Sequence, residues 1–223
     1  MTGVTPAVVT FDVGQTLVEL DLDFLVERLA GRALVVEAGS LARALPAAWA
    51  HHDQLVHAGA SHPWHAFMSA LLVGAGADPA AVEPAVAWLW SEQPHRNLWR
   101  KPIAGMRELA CELRARGVRV GVVSNSEGRI AELLDEVGFA GVFHAVVDSG
   151  RFGIAKPDPR IFAHALAQLE VPAPRVAIHV GDSWAADIVG ARAAGWQTVW
   201  FGPAVDVHDA AEARVAIDAL LRA

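Results

Sequence analysis

The sequence is short of several things, and each shortage narrows what the chain can be. Cys111 is the single cysteine among 223 residues, so no intrachain disulfide can form and a reducing, cytoplasmic setting is expected. Basic residues are outnumbered, 18 against 25 acidic, for a formal net charge of −7. Non-specific nucleic-acid binding needs Lys and Arg to neutralise phosphates, so this balance disfavours it. An anionic ligand must then be drawn by a local positive site rather than by the overall field. Long apolar runs are missing too. Pro63–Ala77 carries no formal charge but holds His65, Gly74 and Gly76. It falls short of the ~20 apolar residues that cross a bilayer, so no membrane span is expected. The first residues, MTGVTPAVVTFD, have no basic region and soon meet an acid, so no signal peptide is expected.

What is present alternates. Ala7–Phe11, Val118–Ser124, Phe143–Val147, Val176–Val180 and Thr198–Phe201 are short β-rich runs with little charge. Such runs suit strands buried on both faces of a parallel sheet. Between them lie helical patterns at Ile103–Arg116, Arg129–Val137, Pro159–Leu169 and Ala185–Ala194, with Gly117, Gly138 and Gly195 as stop signals for three of them. Strand–helix alternation predicts a doubly wound, Rossmann-like α/β core. From about Asp21 to about Asn97 no strand pattern appears. Helices are expected near Phe24–Ala38, Leu41–Ala58, Trp64–Val73 and Pro79–Glu92, separated by Gly39-Ser40, Gly59–Pro63 and Gly74–Pro79. The predicted organisation is therefore a core of residues 1–20 and 97–223 with an α-helical insert of residues 21–96, unless those helices simply cover the sheet.

Four segments carry candidate chemistry, and each has a plainer alternative. Asp12, in Phe11-Asp12-Val13-Gly14-Gln15-Thr16-Leu17, falls at the carboxyl end of the first strand. A carboxylate there can attack phosphorus and form an acyl-phosphate, or it can merely start a turn before Gly14. Ser124-Asn125-Ser126 offers a hydroxyl and backbone N–H groups to a phosphate oxygen, or an N-cap to the helix that follows. Lys156, in Gly153-Ile154-Ala155-Lys156-Pro157-Asp158-Pro159, can neutralise a nucleophile and phosphoryl oxygens, or be an exposed loop lysine. The flanking prolines stiffen the loop that presents it. Asp182 and Asp187, in Gly181-Asp182-Ser183-Trp184-Ala185-Ala186-Asp187, can join Asp12 in an oxygen cage for Mg²⁺, or cap a helix and oppose its dipole.

Taken in order, the Asp…Ser…Lys…Gly-Asp…Asp series resembles the motif set of the haloacid dehalogenase (HAD) superfamily over Ala7–Leu17 and Lys101–Pro203, about half of the chain, and the helical insert resembles that superfamily's C1 cap. The resemblance implies that Asp12 is the nucleophile, Ser124 binds the transferring phosphoryl group with help from the Asn125 backbone, and Lys156 stabilises negative charge. It further implies that Asp182 ligates Mg²⁺, that Asp187 supports or ligates it, and that the backbone carbonyl of Gly14 is a metal ligand. The expected substrate is a small phosphate monoester.

One position departs from the pattern. Superfamily phosphatases usually carry a second Asp two residues after the nucleophile, as general acid and then base, where this chain has Gly14. Loss of such help typically costs about 10²–10⁴ in rate, least for good leaving groups. Three readings follow. In the first, a phosphatase handles its proton differently, with Gln15, a water or one of His51, His52, His57, His62 and His65 standing in. In the second, the chain is a 2-haloacid dehalogenase. Those enzymes also lack the second Asp, but they carry an aromatic residue where this chain has Gly14 and need no metal motif. In the third, it is a non-catalytic protein binding a phosphate ligand or a partner.

Other features read more plainly. His52 and His57 are five apart, poor helical spacing for zinc, so the histidines are expected on a surface or facing substrate. Trp49, Trp64, Trp88, Trp90 and Trp99 are expected to pack. Arg107, Arg114, Arg116 and Arg119 are expected on a solvated helix face and its end. Gly74-Ala-Gly76 follows no strand, which argues against a dinucleotide loop.

Overall fold

The structure, a computed structural model, describes residues 5–32, 34–60, 63–202, 205 and 207–223, and of His57 only the backbone. The chain forms two compact units, Met1–Leu20 with Trp99–Ala223, and Asp21–Leu98. The strands in chain order are β1 (Val8–Phe11), β2 (Val18–Leu20), β3 (Trp99–Pro102), β4 (Arg119–Ser124), β5 (Ala145–Asp148), β6 (Ala177–Gly181) and β7 (Gln197–Trp200). Helices α1 (Leu22–Ala30), α2 (Ala38–His57), α3 (Trp64–Gly74) and α4 (Pro79–Glu92) make up the second unit. The first unit contains α5 (Met106–Ala115), α6 (Ile130–Leu134), α7 (Ser149–Phe152), α8 (Pro159–Gln168), α9 (Gly190–Ala193) and α10 (Ala210–Arg222).

Five strands form a sheet in the order β5-β4-β1-β6-β7, every pair parallel, with Phe11 in register with Val122 on one side and Val180 on the other. The α/β, Rossmann-like expectation is met. Because side chains alternate along a strand, β1 feeds two cores. Val9 and Phe11 join Val120, Val122, Ile178 and Val180 in one, which α5, α6 and α10 close with Leu109, Leu133 and Ile217. Val8 joins Val123, Val147 and the α8 residues Ile161, Phe162 and Ala165 in the other. Each such side chain contributes roughly 1.5–3 kcal/mol on full burial. β1 lies where strand order reverses, between β4 and β6, and at that point open parallel sheets leave a crevice beyond their carboxyl ends.

The structure also redraws several boundaries. The antiparallel pair β2–β3 has no sequence signal, because β2 has three residues and β3 is Trp-Arg-Lys-Pro, without an apolar period. α1 ends at Ala30 rather than Ala38, and Gly39-Ser40, expected as a separator, lies in the first turns of α2. The expected helix Ala185–Ala194 is a π-helical turn, Trp184–Val189, running into α9, and π-turns cluster at functional sites. The C-terminal helix α10 is unanticipated. Its buried positions Ala213, Ile217 and Leu221 repeat every four residues, but surrounding alanines blur the stripe.

In the second unit, Leu25, Leu29, Leu41, Phe67, Met68, Leu71 and Leu89 are fully buried. The tryptophans pack against this core as expected: Trp49 meets Phe67 at 4.3 Å between ring centroids and Trp64 meets Trp90 at 5.1 Å. Among the described residues no helix is long and apolar enough to cross a membrane.

Candidate active site

Each strand that ends at the crevice delivers one polar group. Asp12 follows β1. After it the chain turns tightly, with the Val13 carbonyl accepting from the N–H groups of Leu17 (2.8 Å) and Val18 (3.0 Å), and Gln15 holds a left-handed φ of 54°. Gly14 sits inside this turn with a Trp99 ring carbon 3.7 Å from where a Cβ would lie, so a side chain there meets only ordinary contact.

Lys156, Ser124, Asn125 and Asp182 do not adopt their plainer roles, whereas Asp12 does precede a tight turn and Asp187 does lie in the first turn of Trp184–Val189. Lys156 is buried, not an exposed loop lysine. Its Nζ donates to Asp12 Oδ1 at 2.7 Å, to the Val123 carbonyl at 2.7 Å and to Asp187 Oδ1 at 2.5 Å. Ser124 and Asn125 do not cap α6. That helix begins under the buried carboxylate of Asp148, which accepts from the Ile130 N–H at 3.0 Å and the Gly128 N–H at 3.1 Å. Ser124 is buried at the end of β4, in register with Asp148. The Asn125 side chain clamps the Lys156 backbone from both sides, accepting from its N–H at 2.8 Å and donating to its carbonyl at 2.9 Å. Nor does Asp182 cap the turn after β6. Ser183 does so, its hydroxyl accepting from the Ala186 N–H at 3.2 Å, while Asp187 Oδ2 accepts from the Ser183 N–H at 2.9 Å.

Ligand atoms of Asp12, Asp182 and Asp187 lie within 4.8 Å of one another, the one group among the described residues that could hold a metal ion. Lys156 is the single lysine or arginine in contact with them among the described residues. Burial disfavours its charge, but Asp12 and Asp187 outweigh that and push its pKa up to about 12. Asp187 is also disfavoured by burial, yet Lys156 and His179 hold it well below the usual carboxylate range. Asp12 is raised by burial and by Asp187 against the pull of Lys156. Asp182 is raised furthest, by burial and by the charges of Asp12 and Asp187, and has no ion pair among the described residues. Three acids with one ammonium leave an excess of negative charge at a partly buried site. A divalent oxygen-seeking cation fits that donor set.

Sequence reasoning missed two participants. His179, inside β6, bonds Asp187 Oδ1 through Nε2 at 3.1 Å and Thr10 Oγ1 through Nδ1 at 2.9 Å. Its signal is a single polar residue in an otherwise apolar strand. Asp148 gave only a strand end two residues before a glycine. The histidines His51 and His65 are exposed, and His52 lies 3.2 Å from Asp53. His62 and the side chain of His57 lie outside the described residues. Arg107, Arg114 and Arg116 are exposed, as expected of a solvated helix face and its end, and two of them also bond the main chain. Arg107 donates to the Gly138 carbonyl at 2.7 Å, and Arg114 to those of Gly141 and Val142.

A parallel sheet with a lysine-bridged cluster of aspartates at its switch point is the setting of a hydrolase class. The haloacid dehalogenase-like hydrolase family matches residues 6–195, and the chain belongs to that family. It is 34% identical over 197 residues to haloacid dehalogenase-like hydrolase domain-containing protein 3 of Bos taurus, covering 83% of this chain and 78% of that one. It is 38% identical over 136 residues to the phosphoserine phosphatase of Thermus thermophilus, covering 60% of this chain and 52% of that one. Among solved structures, the HAD-hydrolase YfnB of Bacillus subtilis, bound to magnesium, superposes with a TM-score of 0.63 at 20% identity over 93% of each chain.

Proposed function

We propose that the protein is a Mg²⁺-dependent phosphatase that hydrolyses a small phosphate monoester through an aspartyl-phosphate at Asp12. The observation that carries this reading is the triangle of Lys156 Nζ, Asp12 Oδ1 and Asp187 Oδ1, with Asp182 beside it making no ion pair among the described residues. Asp12, Asp182 and the Gly14 carbonyl, with Asp187 in support, are the proposed holders of Mg²⁺, which when bound neutralises their excess charge and the phosphoryl oxygens. Lys156 fixes Asp12 Oδ1 and leaves Oδ2 as the attacking oxygen. The Oδ2–P bond forms as the bond from phosphorus to the substrate alcohol breaks, and the leaving oxygen takes a proton from solvent. Water then attacks phosphorus and regenerates the carboxylate. Ser124 and the Asn125 backbone are assigned to the phosphoryl oxygens. Relatives named phosphoserine phosphatase and glyceraldehyde 3-phosphate phosphatase support a small phosphorylated substrate.

Gly14 offers no side chain for proton transfer, and that favours a second reading, a non-catalytic binder of a phosphate ligand. The 2-haloacid dehalogenase reading is disfavoured by Asp182 and Asp187, which carbon–halogen cleavage does not need. A panel of phosphate esters with and without Mg²⁺ separates them. Turnover of an activated aryl phosphate that disappears on chelation supports the phosphatase. Absence of turnover on the whole panel, with magnesium uptake in calorimetry, supports the binder. Metal-free halide release from a 2-haloacid supports the dehalogenase.

A further inference from the structure

We infer that His179 is a positioning residue that sets the direction of the Lys156 ammonium toward Asp12 by fixing Asp187. The inference rests on the phosphatase reading above.

Lys156 has three N–H bonds and meets three acceptors, Asp12, Asp187 and the Val123 carbonyl. Its aim is therefore set by where those acceptors stand. Asp12 and Val123 belong to adjacent strands or their ends and are fixed by the sheet. Asp187 is not in the sheet. It lies in the π-turn after β6, and its carboxylate needs holding at both oxygens. The Ser183 N–H holds Oδ2 at 2.9 Å. His179 holds Oδ1, the same oxygen that receives Lys156.

The chemistry of the chain of contacts fixes the imidazole tautomer. A carboxylate only accepts, so Nε2 carries the hydrogen toward Asp187. Nδ1 is then the acceptor, and the Thr10 hydroxyl donates to it at 2.9 Å. Burial pushes the His179 pKa down, against the pull of Asp187, consistent with a neutral ring. Thr10 and His179 are register partners on β1 and β6, so the sheet itself presents the hydroxyl to the ring. Phe162 meets the imidazole edge-on at 5.2 Å between centroids and blocks rotation. Gly181, two residues along β6 and on the same face, completes the seat. A Cβ there would stand 2.3 Å from Asp187 Cγ, so the carboxylate occupies the space a side chain would take. His179 is fully buried, with Asp187 between it and Lys156, so it cannot touch substrate. A histidine that only filled the core would need hydrogen bonds of some kind. This one terminates on the oxygen that also receives the Lys156 ammonium.

Glutamine and asparagine separate the two ring nitrogens. The amide nitrogen of Gln reaches the place of Nε2, and that of Asn only the place of Nδ1. With Mg²⁺ and an aryl phosphate, His179→Asn is expected to lower kcat by roughly 10–100-fold, the usual effect of losing a partner behind a ligand, with a smaller change in KM. His179→Gln is expected to recover most of that rate. Equal losses in both variants, full activity in His179→Asn, or a loss confined to KM would overturn the inference. Long-range ¹H–¹⁵N spectra of the unmodified protein at neutral pH give a readout independent of turnover and of whether the variants fold. Hydrogen on Nε2 is expected, and a bare Nε2 overturns the proposal. If the wild type releases no phosphate from any ester, the phosphatase reading fails by itself, and the spectrum still decides the contact.

Discussion

The two units bury their charges in opposite ways. In the first, Lys156 sits among Asp12, Asp187 and a main-chain carbonyl, and every N–H of its ammonium is used. In the second, the buried cation is Arg28, which donates to the Arg96 carbonyl at 3.0 Å, stacks 4.6 Å over Trp88, and leaves Nε and Nη2 without hydrogen-bond partners. Burial and the neighbouring Arg96 push the Arg28 pKa down, whereas the carboxylates around Lys156 push that lysine up. The contrast separates a charge enclosed by carboxylates from one held as a flat, weakly hydrated side chain between aromatic rings.

Four experiments sharpen or break that contrast. Asp12→Asn has the largest expected effect, loss of phosphate release from every ester to the uncatalysed background, while a retained rate would place the chemistry elsewhere. Gly14→Asp comes next. The turn has room for the Cβ, and restored proton transfer should raise turnover of poor leaving groups by up to about 10²-fold, and of an aryl phosphate much less. Equal responses would refute the account of the missing acid.

The third experiment compares the two cations directly. Lys156→Met strands buried carboxylates and should cost about 3–5 kcal/mol in urea unfolding. Arg28→Met loses a stacking contact but also removes unpaired buried N–H groups, so its change should stay within about 1 kcal/mol. Comparable costs would erase the distinction between the units. The smallest effect is one of pH. The Lys156 pKa is about 12 in the folded chain against an ordinary 10.5, so the folded state binds that proton more tightly. The resulting stabilisation is complete below about pH 10.5 and is lost as pH climbs toward 12. Alkaline unfolding curves should show this decline in the wild type and lack it in Lys156→Met.

What the sequence could disclose followed chain position. Asp12, Lys156 and Asp182 stand where an apolar run meets glycine or proline, and a strand end beside a turn is readable from one dimension. The parallel sheet was readable for the same reason, since its strands are short runs separated by helical periods. Contacts made across strands were not. His179 is one letter in Val-Ala-Ile-His-Val, and its role exists only because register sets Thr10 beside it. Asp148 caps α6, about twenty residues earlier in the chain, a distance no local capping rule spans. The Asn125 segment was read for its backbone, while its side chain proves to be the clamp on Lys156. Gly39-Ser40 misled because the same residues that break a helix also begin one.

The Asp12–Lys156 contact spans 144 positions and the Thr10–His179 contact 169. A chain emerging from the ribosome thus releases Asp12 first and Lys156, His179 and Asp187 later. Asp182 and Asp187 follow β6, so the acid cluster needs β6 paired beside β1. On the phosphatase reading proposed above, fragments that stop short of Asp187 are expected to release no phosphate from esters, however well their early strands pair.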